Sequence, residues 1–64
     1  MEPLPAEYER YLATLDPRTA AGLRSAFQES AAEHEYGVLI RGVGSHHVQA
    51  LVDEHVPYGQ VRVG

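Results

Sequence analysis

Two apolar runs lie in the second half of the chain and are separated by a turn signal: residues 38–40 (Val-Leu-Ile) and residues 48–52 (Val-Gln-Ala-Leu-Val). Between them stands Gly44-Ser45, and a glycine at the first central position supplies the positive φ that a type II′ turn requires. The pattern therefore predicts an antiparallel hairpin with strands at 37–43 and 46–53. After a loop at 56–59, it predicts a short last strand from Gln60 to Val63.

A helix over 45–55, capped by Ser45, is the alternative for the same residues, and it would give an ααβαβ order. The hairpin is favoured because Asp53 and Glu54 would lie at the negative end of that helix, where acidic side chains are unfavourable. His46 and His47, rather than acids, would occupy its first turn.

The first half of the chain predicts two helices after an extended arm at residues 1–5, where Pro3 and Pro5 disfavour helix. Apolar residues at i, i+3, i+4 and i+7 predict the first helix over 6–15. Asp16-Pro17 is an N-cap followed by a favoured first helical residue, and it predicts a second helix that runs to about His34. Gly37 is predicted to end that helix as its C-cap glycine.

Together these elements predict an α+β fold in one domain, residues 1–64, with two helices followed by a three-stranded antiparallel sheet. A chain of 64 residues buries only about 60% of the surface of its unfolded form. It has no cysteine, so disulfides cannot supplement its core. Good packing or association with another chain must supply the remaining stability.

No motif in the sequence predicts a catalytic, cofactor or metal site. The histidines, His34, His46, His47 and His55, lack the spacing of converging ligands. The run 53–55 (Asp-Glu-His) is not accompanied by a serine in a nucleophile-elbow pattern. The glycines do not fit a phosphate-binding loop, and lysine is absent. We therefore expect a protein that is not an enzyme and that needs no metal or cofactor.

A hairpin with a two-residue turn at 44–45 would place Leu39 opposite Ala50 and Val38 opposite Leu51. Both faces of the predicted sheet would then be apolar, and two helices can cover only one of them. Unpaired strand edges also invite pairing with another chain. The sequence thus predicts a protein–protein interaction module, either a homodimer or a small accessory or inhibitor protein that docks on a larger partner. The predicted interface comprises Val38, Ile40, Leu51, Gln60, Val61, Arg62 and Val63.

Two other classes of function are weaker alternatives. A nucleic-acid-associated regulator would need the arginines to cluster on one face: Arg18, Arg24, Arg41 and Arg62. The net charge of −4 argues against it, since such proteins normally carry a basic excess. A histidine-based metal-binding protein is the other alternative. Without a signal peptide or a long apolar run, the expected location is the cytoplasm, and the use of arginine alone as the basic residue suggests a bacterial or phage origin.

Overall fold

The computed structural model describes residues 3–44 and 47–64 and confirms the α+β class. Its elements follow the predicted order of two helices and then three strands. They are α1 (Ala6–Ala13), α2 (Pro17–Glu33), β1 (Tyr36–Arg41), β2 (Gln49–Pro57) and β3 (Val61–Val63). α1 begins at Ala6 as predicted, whereas its end and the bounds of the hairpin strands differ from the prediction by a few residues.

The boundary between the helices is fixed by side chains that replace missing backbone partners. The Thr14 hydroxyl donates to the Tyr11 carbonyl at 2.7 Å, which closes α1 two residues before the predicted end. Asp16 then caps α2 as predicted, with Pro17 as its first residue. Its carboxylate accepts from the Thr19 backbone N–H at 3.1 Å and from the Thr19 hydroxyl at 2.6 Å.

The Asp16 cap predicts a specific acid sensitivity. The hydrogen bond from the Thr19 hydroxyl, followed by that from the Thr19 N–H, lowers the pKa of Asp16 below its ordinary 3.8. A lowered pKa means that the cap contributes its full stability above pH 3.8 and loses it as the pH falls through the folded-state value.

Asp16→Asn keeps a good cap without a titrating group, so its melting temperature should fall less than that of wild type between about pH 4 and pH 2. Asp16→Ala should lower the melting temperature by roughly 4–8 °C at neutral pH. Thermal melts followed by circular dichroism measure both, and equal acid slopes for wild type and Asp16→Asn would contradict the assignment.

α2 ends at Glu33, close to the predicted end at about His34, but the residue that caps it differs from the prediction. His34, not Gly37, takes the left-handed conformation that ends the helix, with φ of 55°, and its N–H donates to the Ser30 carbonyl at 3.0 Å. The imidazole of His34 stacks on the ring of Tyr58, with ring centroids 4.8 Å apart. Gly37 lies inside β1 instead. The C-cap therefore lies three residues before the glycine that was predicted to take this role.

The hairpin prediction is confirmed in type and wrong in register. Residues 49–57 form a strand antiparallel to β1, so the alternative helix over 45–55 is wrong. Leu39 pairs with Leu51 rather than with Ala50, and residues 42–48 connect the strands in place of a two-residue turn. Gly44 does have the expected positive φ, 89°. The predicted turn residue Ser45 and the adjacent His46 lie outside the described residues.

The sheet is mixed rather than antiparallel, because β3 runs parallel to β1. The strand order is β2-β1-β3, so consecutive strands β2 and β3 lie on opposite sides of β1. A turn at residues 57–60 joins them, with the Gln60 N–H donating to the Pro57 carbonyl at 3.1 Å and Gly59 at φ of 85°. Positive φ at the third residue is the signature of a type II turn. The connection passes around the start of β1, and Gly37 lies between its two ends.

The hydrophobic core lies between the two helices and one face of the sheet. Tyr8, Leu12, Leu23 and Phe27 from the helices pack with Val38 and Ile40 of β1. The ring of Phe27 meets that of Tyr8 edge-on, with centroids 5.1 Å apart, and stacks with that of Tyr11 at 6.2 Å. The molecule is thus two layers thick, and both helices lie on the same side of the sheet.

Candidate partner-binding surfaces

The register defines a sheet surface that faces away from the helices. Val38 and Ile40 alternate with Leu39 and Arg41 along β1, and successive residues of a strand point to opposite faces. The pairing then sets the rest of this surface, which we call the outer face: Leu39, Arg41, Gln49, Leu51, Asp53 and Arg62. Within the described residues, no helix packs on it.

Leucines form the centre of the outer face. Leu39 and Leu51 are directly opposite each other on β1 and β2. Leu39 is half-buried, whereas Leu51 keeps 36% of its surface exposed. Arg62 stands beside Leu39 on the other side, and Arg41 follows along β1. The outer face is therefore an apolar strip two residues wide, bordered by cationic side chains.

Asp53 adds a fixed negative charge to the outer face. The His55 backbone N–H donates to its carboxylate at 2.7 Å and lowers the pKa of Asp53 below its ordinary value, and the His55 ring at 3.1 Å and the charge of Arg62 add to this effect. β1 lies between β2, which carries Asp53, and β3, which carries Arg62. The β1 residue that pairs with Asp53 is Gly37, so no side chain stands between the two charges at this position. Charges of both signs therefore border the two leucines.

The predicted interface residues divide between the core and the surface. Val38 and Ile40 are fully buried against the helices, so a partner of the folded chain cannot contact them. The helices cover the face of β1 that bears Val38 and Ile40, whereas the prediction left that face for a partner. The one-residue difference in register instead moves Leu51 to the face of Leu39. Leu51, Gln60, Arg62 and Val63 are exposed, and Val61 is half-buried.

One edge of the sheet is formed by β3, and its hydrogen-bond pattern shows which backbone groups it presents. The Val38 N–H donates to the Gln60 carbonyl at 3.1 Å, and the Gly64 N–H donates to the Ile40 carbonyl at 2.9 Å. In a parallel ladder, the groups of alternate residues point to the same neighbour. The backbone N–H and carbonyl groups of Gln60, Arg62 and Gly64 therefore point towards β1. The N–H and carbonyl groups of Val61 and Val63 point away from the sheet.

A groove of about 220 Å³ runs between α1 and this edge. It is lined by Glu7, Arg10, Tyr11, Thr14 and Val61. The helical residues recur at i, i+3, i+4 and i+7, so they form one face of α1. Arg10 and Glu7 form an ion pair at 2.9 Å across one end of that face. The sequence did not indicate this groove, because its lining also requires Val61 of β3, which approaches α1 only in the folded molecule.

The described residues offer little support for metal binding or catalysis. Among residues 3–44 and 47–64, no three histidine or acidic side chains converge as a metal-binding group. Ser30 is buried and donates its hydroxyl proton to the Tyr36 carbonyl at 2.6 Å, so it is not a free nucleophile. His55 and Asp53 are adjacent, but both stand on the surface of β2.

The arginines do not form the single patch that a nucleic-acid interface would require. Arg18 and Arg24 are exposed on α2, in the helical layer. Arg41 and Arg62 lie on the outer face, on the other side of the sheet. Phosphate binding by a chain of net charge −4 would need such a patch, because affinity for nucleic acids comes mostly from phosphate contacts.

Comparison with known proteins adds no further constraint. No protein-family model, no curated protein and no solved structure matches the chain. In the part of the chain that the structure describes, neither helix has the length and apolar character needed to cross a membrane. The surfaces of the molecule are thus the available guide to its function.

Proposed function

We propose that this chain is a non-enzymatic protein–protein interaction module that forms a homodimer through the outer face. The observation that carries the proposal is the leucine pair of exposed Leu51 and half-buried Leu39, bordered by Arg41, Arg62 and Asp53. Exposed apolar groups surrounded by charged ones are typical of interaction surfaces.

A second copy of the chain can pair the charges of the outer face. The chain as a whole carries a net charge of −4, so two copies repel each other over most of their surfaces. The outer face differs in that it carries charges of both signs, Arg41 and Arg62 together with Asp53. A two-fold interface must also be complementary to itself, and a surface with an apolar centre and charges of both signs satisfies that condition.

The small size of the chain is a second argument for association. The core contains few large side chains, and a domain below about 70–80 residues rarely gains more than about 3–5 kcal/mol from its core alone. Burying Leu39 and Leu51 against their copies would add apolar area that the two helices leave exposed. Binding that occurs only in the folded state raises stability by mass action.

Sedimentation velocity over a range of about 1–100 µM tests the proposal, since a dimer of this kind should dissociate on dilution. Leu51→Glu should shift the population to monomer, because it places a charge at the centre of the apolar strip. Ala32→Glu is the matched control, since it adds the same charge at an exposed position of α2 and should leave the dimer intact.

A wild-type chain that remains monomeric throughout this range, or a Leu51→Glu variant that is folded and still dimeric, would overturn the proposal. The far-ultraviolet circular dichroism of each variant shows whether it is folded. Because Leu51 is partly exposed, its replacement should change association more than it changes the secondary structure.

A further inference from the structure

We infer that the free edge of β3 and the groove beside α1 form a second binding site, which takes an extended segment of a partner protein by strand addition. The segment would carry an acidic residue opposite Arg62, flanked on both sides by β-branched apolar residues. This inference deepens the proposed role as an interaction module by naming a partner chemistry. Its backbone contacts and its groove lie outside the outer face, with which it shares Arg62.

The backbone of β3 requires a partner with an extended backbone. Val61 and Val63 direct their N–H and carbonyl groups away from β1, and no described residue pairs with them there. Val63 keeps 53% of its surface exposed to solvent. A strand laid along this edge would exchange hydrogen bonds with both valines, in either direction, which is the usual basis of affinity in strand addition.

The groove accounts for side-chain selectivity at the same edge. Val61 shares the inner face of the sheet with Val38, so a residue placed opposite Val61 would also point towards the helices. At that position the nearest surface is the face of α1 that bears Tyr11 and Thr14. A β-branched side chain of moderate size would fill the space between that face and Val61. The groove that would receive every second side chain of the partner segment therefore lies directly beneath the edge of β3 that would bind the backbone of that segment.

Charge distinguishes a foreign segment from a second copy of β3. Residues that stand opposite Arg62 lie on its side of the sheet, where an acidic side chain would pair with its guanidinium. Two copies of β3 paired antiparallel, with Val61 opposite Val63, would place Arg62 directly opposite the same residue of the other copy. Like charges in that position are destabilising. The edge is therefore complementary to an acidic strand and not to itself.

The edge is short, and this suits a weak and reversible contact. β3 spans only Val61–Val63, and short edge strands are one means by which proteins avoid uncontrolled pairing. Hydrogen bonds alone would therefore bind a peptide poorly. The added contact in the groove is what makes the site selective for a particular sequence pattern.

The test uses the full chain and a fluorescein-labelled peptide, Ser-Thr-Val-Glu-Val-Thr-Ser, with blocked termini, and measures its fluorescence anisotropy on titration with the protein. A peptide with lysine in place of glutamate should bind about threefold to fivefold more weakly, because it opposes Arg62 with a like charge. Saturable binding of the glutamate peptide, with this preference, is the expected result.

Val63→Pro tests the backbone contact. Proline removes the outward N–H of Val63 without removing a hydrogen bond to β1, and edge strands tolerate proline when the N–H faces solvent. It should weaken binding of the glutamate peptide at least tenfold. Val63→Thr, which keeps both the N–H and the β-branched shape, is the control and should bind like wild type. Circular dichroism and a thermal melt establish that both variants are folded.

Thr14→Trp tests the groove, because the larger side chain would occupy the space beneath the edge. It should weaken binding of the same peptide at least fivefold. Ala13→Trp is its control, since it adds the same side chain at the neighbouring exposed residue, which does not line the groove.

The inference is overturned by any of three results: no saturable binding of the glutamate peptide, equal binding by folded Val63→Pro, or equal binding of the lysine peptide. Its failure is distinct from that of the proposed dimer. A monomeric chain that binds the peptide as described would retain this site and lose the dimer. A dimer disrupted by Leu51→Glu that binds no peptide would do the reverse.

Discussion

Replacing Gly37 with alanine is expected to destabilise the fold more than any other single-methyl change in the chain. A Cβ atom at Gly37 would lie 2.5 Å from Cγ1 of Val56 and 2.6 Å from the carbonyl oxygen of Gln60, and it would also meet the carbonyl oxygen of Pro57. Carbonyl oxygens cannot move aside by rotating a side chain. We expect a loss of about 3 kcal/mol or more, because overpacking that displaces backbone exceeds the usual cost of an added methylene.

The topology explains why Gly37 is so confined. β2 and β3 lie two strand spacings apart, about 9–10 Å, with β1 between them. The turn at residues 57–60 must therefore cross the start of β1. A β-bulge assists it, because Tyr36 pairs with Pro57 while the next residue, Gly37, pairs with Asp53. The extra residues of β2 bring the chain close against Gly37, and a side chain there would block the crossing.

Gly22→Ala is the matched control, since it is the same substitution at a site of opposite character. Gly22 is exposed within α2, and an added Cβ there would meet no atom within 4 Å. Alanine has the higher helix propensity, so the variant should be more stable by about 1 kcal/mol. Urea unfolding at equilibrium measures both changes. Near-native stability in Gly37→Ala would mean that the crossing does not pass Gly37 as described.

Gly37 illustrates which parts of the fold could be predicted from the sequence and which could not. The helices were predictable because their signals are local: Asp16-Pro17 is a cap and a first helical residue wherever it occurs. Gly37 was assigned to the end of α2 by an equally local rule. Its actual role depends on residues 56–60, which approach it only in the folded molecule. No local pattern carries that information.

The sheet was predictable in strand content and not in strand order. A short connection between two strands normally joins neighbours that pair with each other, and the turn at 57–60 is an exception, because β2 and β3 do not pair. Here the bulge in β2 allows the turn to pass β1, and β3 pairs in parallel on its far side. The register was not predictable either, because Gly44 alone does not fix which residues of β1 and β2 pair. Val38 and Ile40 were assigned to an interface although they belong to the core, because alternation along β1 does not by itself show which face the helices cover.

A buried chain of hydrogen bonds accounts for much of the specificity of this topology. The Gly59 N–H donates to the Tyr8 hydroxyl oxygen at 3.2 Å, and that hydroxyl lies 2.5 Å from the hydroxyl of Ser30. Ser30 uses its one proton to donate to the Tyr36 carbonyl at 2.6 Å. Tyr8 must therefore be the donor to Ser30. This series of hydrogen bonds joins α1, α2, β1 and the turn before β3, and each group donates to the next one from Gly59 to Tyr36.

Removal of the Tyr8 hydroxyl is the second large effect that we expect. In Tyr8→Phe, the Ser30 oxygen and the Gly59 N–H each lose a partner, and both Tyr8 and Ser30 are fully buried. Leaving a buried polar group without a partner costs about 1–3 kcal/mol, so we expect a loss of about 2–3 kcal/mol. The ring remains, and its edge-on contact with Phe27 should be retained. The effect thus isolates the hydrogen bonds from the packing.

Tyr11→Phe is the control for the loss of a phenol oxygen. Tyr11 stands on the same helix and stacks on the same Phe27, and the described structure gives its hydroxyl no hydrogen-bond partner. Its replacement should change the free energy of unfolding by less than about 0.5 kcal/mol, as for other surface changes away from special features. The comparison of the two variants removes any general effect of exchanging tyrosine for phenylalanine.

A double-mutant cycle with Ser30→Ala tests the order of the chain. Ser30→Ala alone removes the acceptor of Tyr8 and the donor to Tyr36, and should cost about as much as Tyr8→Phe, roughly 2–3 kcal/mol. Because the two residues share one hydrogen bond, the double variant should be more stable than the sum of the single changes indicates, by about 1 kcal/mol or more. Equilibrium urea unfolding of the four proteins gives this coupling energy. Strict additivity would show that Tyr8 and Ser30 do not interact, and β3 would then need another explanation for its place beside β1.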